Sequence, residues 1–126
     1  MVEWNQVEPG DRSSQAERFV QSIGRKVVSM HFEWDERKRQ ANIRKHGLDF
    51  RDAWRVFQLP MLVALDDRED YGEERWIGVG VLNTRVVVVI YTERDVDTIR
   101  IISLMKATSD ERTRYEQLLR DQLDAG

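Results

Sequence analysis

Apolar and polar positions change rhythm several times along this chain, and each rhythm predicts an element. Residues 32–34, Phe-Glu-Trp, alternate as a short strand does. Asp35 is placed to cap a helix over 36–46, and Gly47 to end it. That helix has few apolar contacts to offer, Ala41 and Ile43. Asp49 caps a second helix. There Phe50, Ala53, Trp54 and Phe57 recur at i, i+3, i+4 and i+7, one apolar face that Pro60 brings to a stop.

The rhythm then becomes that of strands. Residues 61–65 are a short apolar run, followed by an acidic loop over 66–74 centred on Tyr71-Gly72. Strands are predicted over 76–82 and 86–92, joined by a tight turn at Asn83-Thr84. The 86–90 run is β-branched throughout, as suits a strand covered on both faces. A turn at 94–97 leads to a last strand over 99–104. Thr108 and Glu111 form a capping box for a final helix whose stripe is Tyr115, Leu118 and Leu119. The order strand, two helices, meander, helix defines an α+β domain: a small, mainly antiparallel sheet with two N-terminal helices and a C-terminal helix.

Residues 1–30 lie outside this pattern. Pro9-Gly10-Asp11 reads as a turn, and Ser13-Ser14 as a cap for a short helix through Val20 and Ile23. We expect 1–30 to be an N-terminal extension, either a segment upstream of a native start at Met30 or a short helical arm, and 31–126 to be the domain.

Composition narrows the function. With 126 residues, one ordinary domain is expected. The absence of cysteine excludes a disulfide scaffold, a zinc ribbon and a thiol nucleophile. A net charge of −3 argues against a globally basic nucleic-acid binder but allows a local basic patch. No apolar run approaches the roughly 20 residues that span a bilayer, and no apolar leader is present, so a cytoplasmic protein without membrane contact is expected. Dinucleotide, Walker and HExxH motifs are absent, and no cofactor or metal is expected.

Two groups of residues carry candidate chemistry. The helix over 36–46 is locally basic through Lys38, Arg39, Arg44, Lys45 and His46, a pattern that serves as a solvated face or as a contact to phosphates. His46 stands where a helix C-terminus favours the protonated imidazole. The second group follows from placing the turn at 94–97. Tyr91 then lies opposite Arg100, Glu93 opposite Thr98 and Val89 opposite Ile102, putting Tyr91, Glu93, Thr98 and Arg100 on one face. Such a face is either an ion pair in solvent or a site for a phosphodiester. Metal-free RNA cleavage by the neighbouring 2′-hydroxyl needs a base, an acid and cations around the phosphorane. Glu93 would be the base, Tyr91 the acid or a positioning group, and Arg75, Arg100 and Lys106 the phosphate contacts.

Read together, these segments resemble the BrnT family of type II toxin–antitoxin ribonucleases. The likeness rests on Phe32-Glu33-Trp34-Asp35, Lys38, Asn42, Lys45-His46-Gly47 and Phe50. It continues with Asp66, residues 70–75, Tyr91-Thr92-Glu93, residues 100–103, Lys106-Ala107-Thr108, Glu111, Arg112 and Tyr115. The resemblance implies a RelE-like fold and an RNA-cleaving toxin that inhibits translation. With the activity it implies, the candidate catalytic residues are Arg75, Tyr91, Glu93 and Arg100, and the candidate RNA-binding residues are Lys38, Lys45, His46 and Lys106. The partner it implies is a BrnA-like antitoxin with a ribbon-helix-helix domain, through which operator DNA would be bound. The chain departs from the family at Leu104-Met105, where Ala-Arg is usual. The alternative is a weak or inactive toxin-like subunit that binds antitoxin as a co-repressor.

Overall fold

The computed structural model describes residues 30–125, so the turn and helix expected within 1–29 lie outside the described residues. Five strands form one sheet: β1 (His31–Trp34), β2 (Leu62–Leu65), β3 (Trp76–Leu82), β4 (Arg85–Asp95) and β5 (Thr98–Lys106). The spatial order is β1-β5-β4-β3-β2. β2 through β5 pair antiparallel, whereas β1 inserts parallel to β5, so the sheet is mixed. Between β1 and β2 come α1 (Glu36–His46) and a 3-10 helix (Phe50–Gln58); α2 (Ser109–Ala125) closes the chain.

Each face of the sheet has its own core. The 3-10 helix buries Phe50, Ala53, Val56 and Phe57 on one face, against Val63, Val87, Val89, Tyr91, Ile99, Ile101 and Leu104. α2 covers part of the other face, setting fully buried Tyr115 against Ala64, Ile77, Val79, Val88 and Ile90. Its Thr108–Glu111 capping box forms as expected: Glu111 N–H donates to Thr108 Oγ1 (3.2 Å) and Thr108 N–H to Glu111 Oε1 (2.8 Å). Tyr115 Oη donates to the Pro60 carbonyl (2.8 Å), and burial pushes its pKa up.

The second helix differs from its expected form. With three residues per turn, its stripe is Phe50, Ala53 and Val56, and Trp54 is turned out, 40% exposed. Against it β3 carries Gly78 and Gly80. A Cβ at Gly78 would overlap Met61, and one at Gly80 would crowd both Val56 and Met61.

α1 has little apolar surface, as expected, and polar contacts hold it instead. The Arg39 guanidinium donates twice to Asp49 (2.7 and 2.9 Å) and once to Glu36 (2.6 Å). Arg39 is buried in this network, so it leaves the group of cations expected to meet phosphate. Asn42 is buried as well. Its amide donates to Leu104 O (2.8 Å) and Leu48 O (2.9 Å) and accepts from Leu104 N–H (3.1 Å), so one side chain satisfies both backbone groups of a β5 residue.

Candidate active site

The geometry of the site begins with a register. β4 and β5 pair as Tyr91↔Ile101, Thr92↔Arg100 and Glu93↔Ile99, with irregularities between Ile90 and Tyr91 and between Glu93 and Asp95. The expected pairing, Tyr91 with Arg100 and Glu93 with Thr98, is off by one residue, and a one-residue slip exchanges the faces. Val89 faces Leu104, two residues from the expected Ile102, because the irregularity at Ile90/Tyr91 adds a second shift. Tyr91 points into the core beneath the 3-10 helix, buried and edge-on to Phe57 with ring centroids 5.0 Å apart. Arg100 shares the opposite face with Thr92.

That opposite face carries a polar row across all five strands. Arg100 pairs with Thr92 on one side and Glu33 on the other. Continuing the β3–β4 register beyond Trp76↔Tyr91 sets Arg75 beside Thr92, and Thr92 Oγ1 donates to the adjoining Glu74 carbonyl (2.7 Å). Asp66 N–H donates to Arg75 O (2.7 Å), which places Asp66 at the far end. The row therefore reads Asp66, Arg75, Thr92, Arg100, Glu33. The two arginines stand two strands apart, about 10 Å at the backbone, with a hydroxyl-bearing residue between them. α2 packs against the apolar rows at the other end of this face.

Each charge in the row has a partner. Arg100 donates to Glu33 (2.7 Å). Arg75 stacks on Tyr71, 4.2 Å from its centroid, and donates to Glu73 (3.1 Å); Arg94 approaches the same carboxylate (3.7 Å). At Asp66, burial pushes the carboxyl up, but the Arg68 side chain (2.7 and 2.9 Å) and backbone outweigh it and hold the pKa below its usual value. Glu93 lies on the other face by register, yet it lines an open cleft of about 410 Å³ with Glu73, Glu74, Trp76, Thr92 and Arg94. Among the described residues, no group of three or more His, Asp or Glu is placed to hold a metal ion.

The structure thus joins Arg75 to Arg100, sets Glu93 at the rim of their row, and withdraws Tyr91 into the core. Lys38 is exposed near the start of α1, where its N–H, at 3.1 Å, helps hold the Asp35 carboxyl below its usual pKa. Lys106, paired with Val87, lies at the opposite end of the sheet. Lys45 and His46 occupy the last turn of α1, one turn beyond Asn42. Sequence reasoning missed Thr92, Glu33 and Glu73. All three stand in segments that carry the family resemblance, but the sequence offers no signal that sets Thr92, Glu33 or Glu73 beside an arginine across strands. Met105 is half-buried on the α2 face, packed with the core there.

The fold defines a small α+β domain whose mixed sheet carries, on one face, a row in which Arg75 and Arg100 are each paired with a carboxylate. Comparison then places it: the family model described as the ribonuclease toxin BrnT of type II toxin–antitoxin systems matches residues 34–111, and the chain belongs to that family. The crystal structure of the ribonuclease toxin BrnT from Brucella abortus is similar, with a TM-score of 0.50 and 30% identity, over 64% of this chain and 99% of that one. No curated protein matches the chain. Membership of a toxin–antitoxin family implies an antitoxin partner. No helix among the described residues is long and apolar enough to cross a membrane.

Proposed function

We propose that this toxin is a metal-independent endoribonuclease of RelE-like fold that cuts RNA and so inhibits translation. In this reading a BrnA-like ribbon-helix-helix antitoxin neutralises it and carries operator binding. The observation that carries the reading is the pair Arg75 and Arg100 flanking Thr92 on the half of the sheet face away from α2's packing.

The chemistry follows from that arrangement. A phosphodiester seated over Thr92 is flanked by two guanidinium groups. The substrate's own 2′-hydroxyl attacks phosphorus and gives its proton to Glu93; the P–O5′ bond breaks and the leaving 5′-oxygen takes a proton from solvent water, giving a 2′,3′-cyclic phosphate and a 5′-hydroxyl. The extra negative charge of the phosphorane exists only in the transition state, so cations aimed at it act on the rate. Arg100 and Glu33 are both partly exposed, and such pairs are typically worth about 0–1 kcal/mol, so exchanging Glu33 for a phosphate is cheap. Tyr91 serves from beneath, packing against Phe57. Lys38 is an exposed RNA contact.

Transcript-end mapping after induced expression tests the cleavage, with EDTA present in a purified assay to test metal independence. Glu93→Gln removes the basicity and keeps the shape; undiminished cleavage by that variant would remove Glu93 from the mechanism. The co-repressor reading draws on Met105, an apolar residue in the core beneath α2. It predicts no transcript ends from the natural chain and cleavage restored by Met105→Arg. We also propose residues 31–126 as the toxin domain, in keeping with the 34–111 match. Deleting residues 1–29 should then leave the melting temperature nearly unchanged.

A further inference from the structure

The end of the sheet far from the arginine row holds a second group of cations. A pocket of about 290 Å³ opens between Leu48, just past α1, and the β3–β4 hairpin, lined by Leu48, Leu82, Asn83, Thr84, Arg85 and Val87. Arg85 shares a face with Val87, and Val87 pairs with Lys106, so both cations border the same side. Beside the pocket, Arg55 of the 3-10 helix donates to Asn83 Oδ1 (3.1 Å), the turn residue whose backbone is left-handed (φ 58°). Among the described residues, Arg55, Arg85 and Lys106 have no carboxylate at ion-pair distance, unlike every arginine of the row.

Arg44, Lys45 and His46 in the last turn of α1 answer the helix dipole and account for themselves. Arg55 bonds Asn83 and lies over the Trp54 ring (5.6 Å), but no carboxylate among the described residues answers the charge of Arg55, Arg85 or Lys106. Val87 and Thr92 are five residues apart on β4, about 17 Å, twice the roughly 8 Å screening length at physiological salt. The carboxylates of the row therefore do not neutralise this end, whatever the net charge of the chain.

We propose that this pocket is a second anchoring site for single-stranded RNA, with Arg85, Lys106 and Arg55 holding phosphates away from the bond that is cut. The proposal rests on the ribonuclease reading for its choice of anion. Phosphate contacts of this kind carry no base preference and weaken steeply with salt. Asn83 fixes Arg55 in place, while Arg85 and Lys106, both exposed, follow the strand.

The test uses the full chain and a short single-stranded RNA methylated at every 2′-oxygen, which binds but cannot be cut. Affinity is measured by fluorescence anisotropy across a salt series. Arg85→Ala with Lys106→Ala should weaken binding about tenfold at low salt and flatten the logarithmic salt slope by about 0.7 for each cation removed. Arg85→Lys with Lys106→Arg should keep the slope. An unchanged slope in the alanine pair overturns the proposal. So does an unchanged slope accompanied by loss of antitoxin affinity, which would make the pocket a protein interface. Cleavage of unmodified RNA is followed separately, so a failure of the ribonuclease reading is told apart from a failure of the anchor.

Discussion

At one end of the sheet the arginines are answered by carboxylates; at the other, among the described residues, the cations are not. Arg75 and Arg94 share Glu73, and Arg100 has Glu33, whereas Arg55, Arg85 and Lys106 have no carboxylate among the described residues at ion-pair distance. The two arrangements do different work. A guanidinium held by a partner has its direction set, and in the proposed mechanism it exchanges that partner for a phosphate. A cation without a partner projects its field into solvent and attracts polyanions over a screening length. An acidic chain can therefore still present a basic surface.

Five variants would break or sharpen this contrast. The largest effect is expected from Arg100→Ala or Arg75→Ala. Loss of a donor to the phosphorane should lower the cleavage rate by about 10²–10³, with the melting temperature little changed. If cleavage falls only in step with the unfolded fraction, the paired end is merely structural. Next comes Asn42→Ala, which strips Leu104 N–H and C=O of their partner on the helix that runs between the two ends. Urea unfolding should show a loss of about 1–3 kcal/mol.

A smaller change is expected from Glu73→Gln, which would make the paired end resemble the other. Binding of uncleavable RNA should tighten a few-fold, with a steeper salt dependence. The smallest is a pH effect. The Arg39 side chain holds the Asp49 carboxyl down from 3.8 to about 2. A depressed carboxyl stabilises the fold above its unfolded pKa, and that contribution drains away as pH falls from about 4 towards 2. Thermal melts of Asp49→Asn should lack this portion of the acid sensitivity.

Local signals in the chain were enough for some elements. Asp35 and Gly47 bound α1 because a capping carboxylate and a left-handed residue leave marks in sequence. The Asn83-Thr84 turn and the Thr108–Glu111 box are similarly self-contained. The parallel seat of β1 beside β5 is not, since it joins residues about 67 positions apart with no local signature. The polar row failed for a narrower reason. Strand alternation was read correctly along β4, but the irregularities near Tyr91 and Asp95 displaced β5 by one residue. Arg75 and Arg100 were expected to border one face and do stand in one row, whereas Tyr91, expected beside Arg100, is buried on the opposite face. The basic pocket went unread because Arg55 and Arg85 come from separate elements and meet through the fold.

The side chain of Asn42 has one more consequence. β1 covers only residues 98–101 of the nine-residue strand β5. Beyond that stretch Leu104 would offer its amide and carbonyl outward, as an unfinished strand does when it recruits another chain. A carboxamide has the same donor and acceptor as a peptide group, and here it occupies that position as a single rung. Because the rung belongs to a helix, no strand can be added at Leu104 itself.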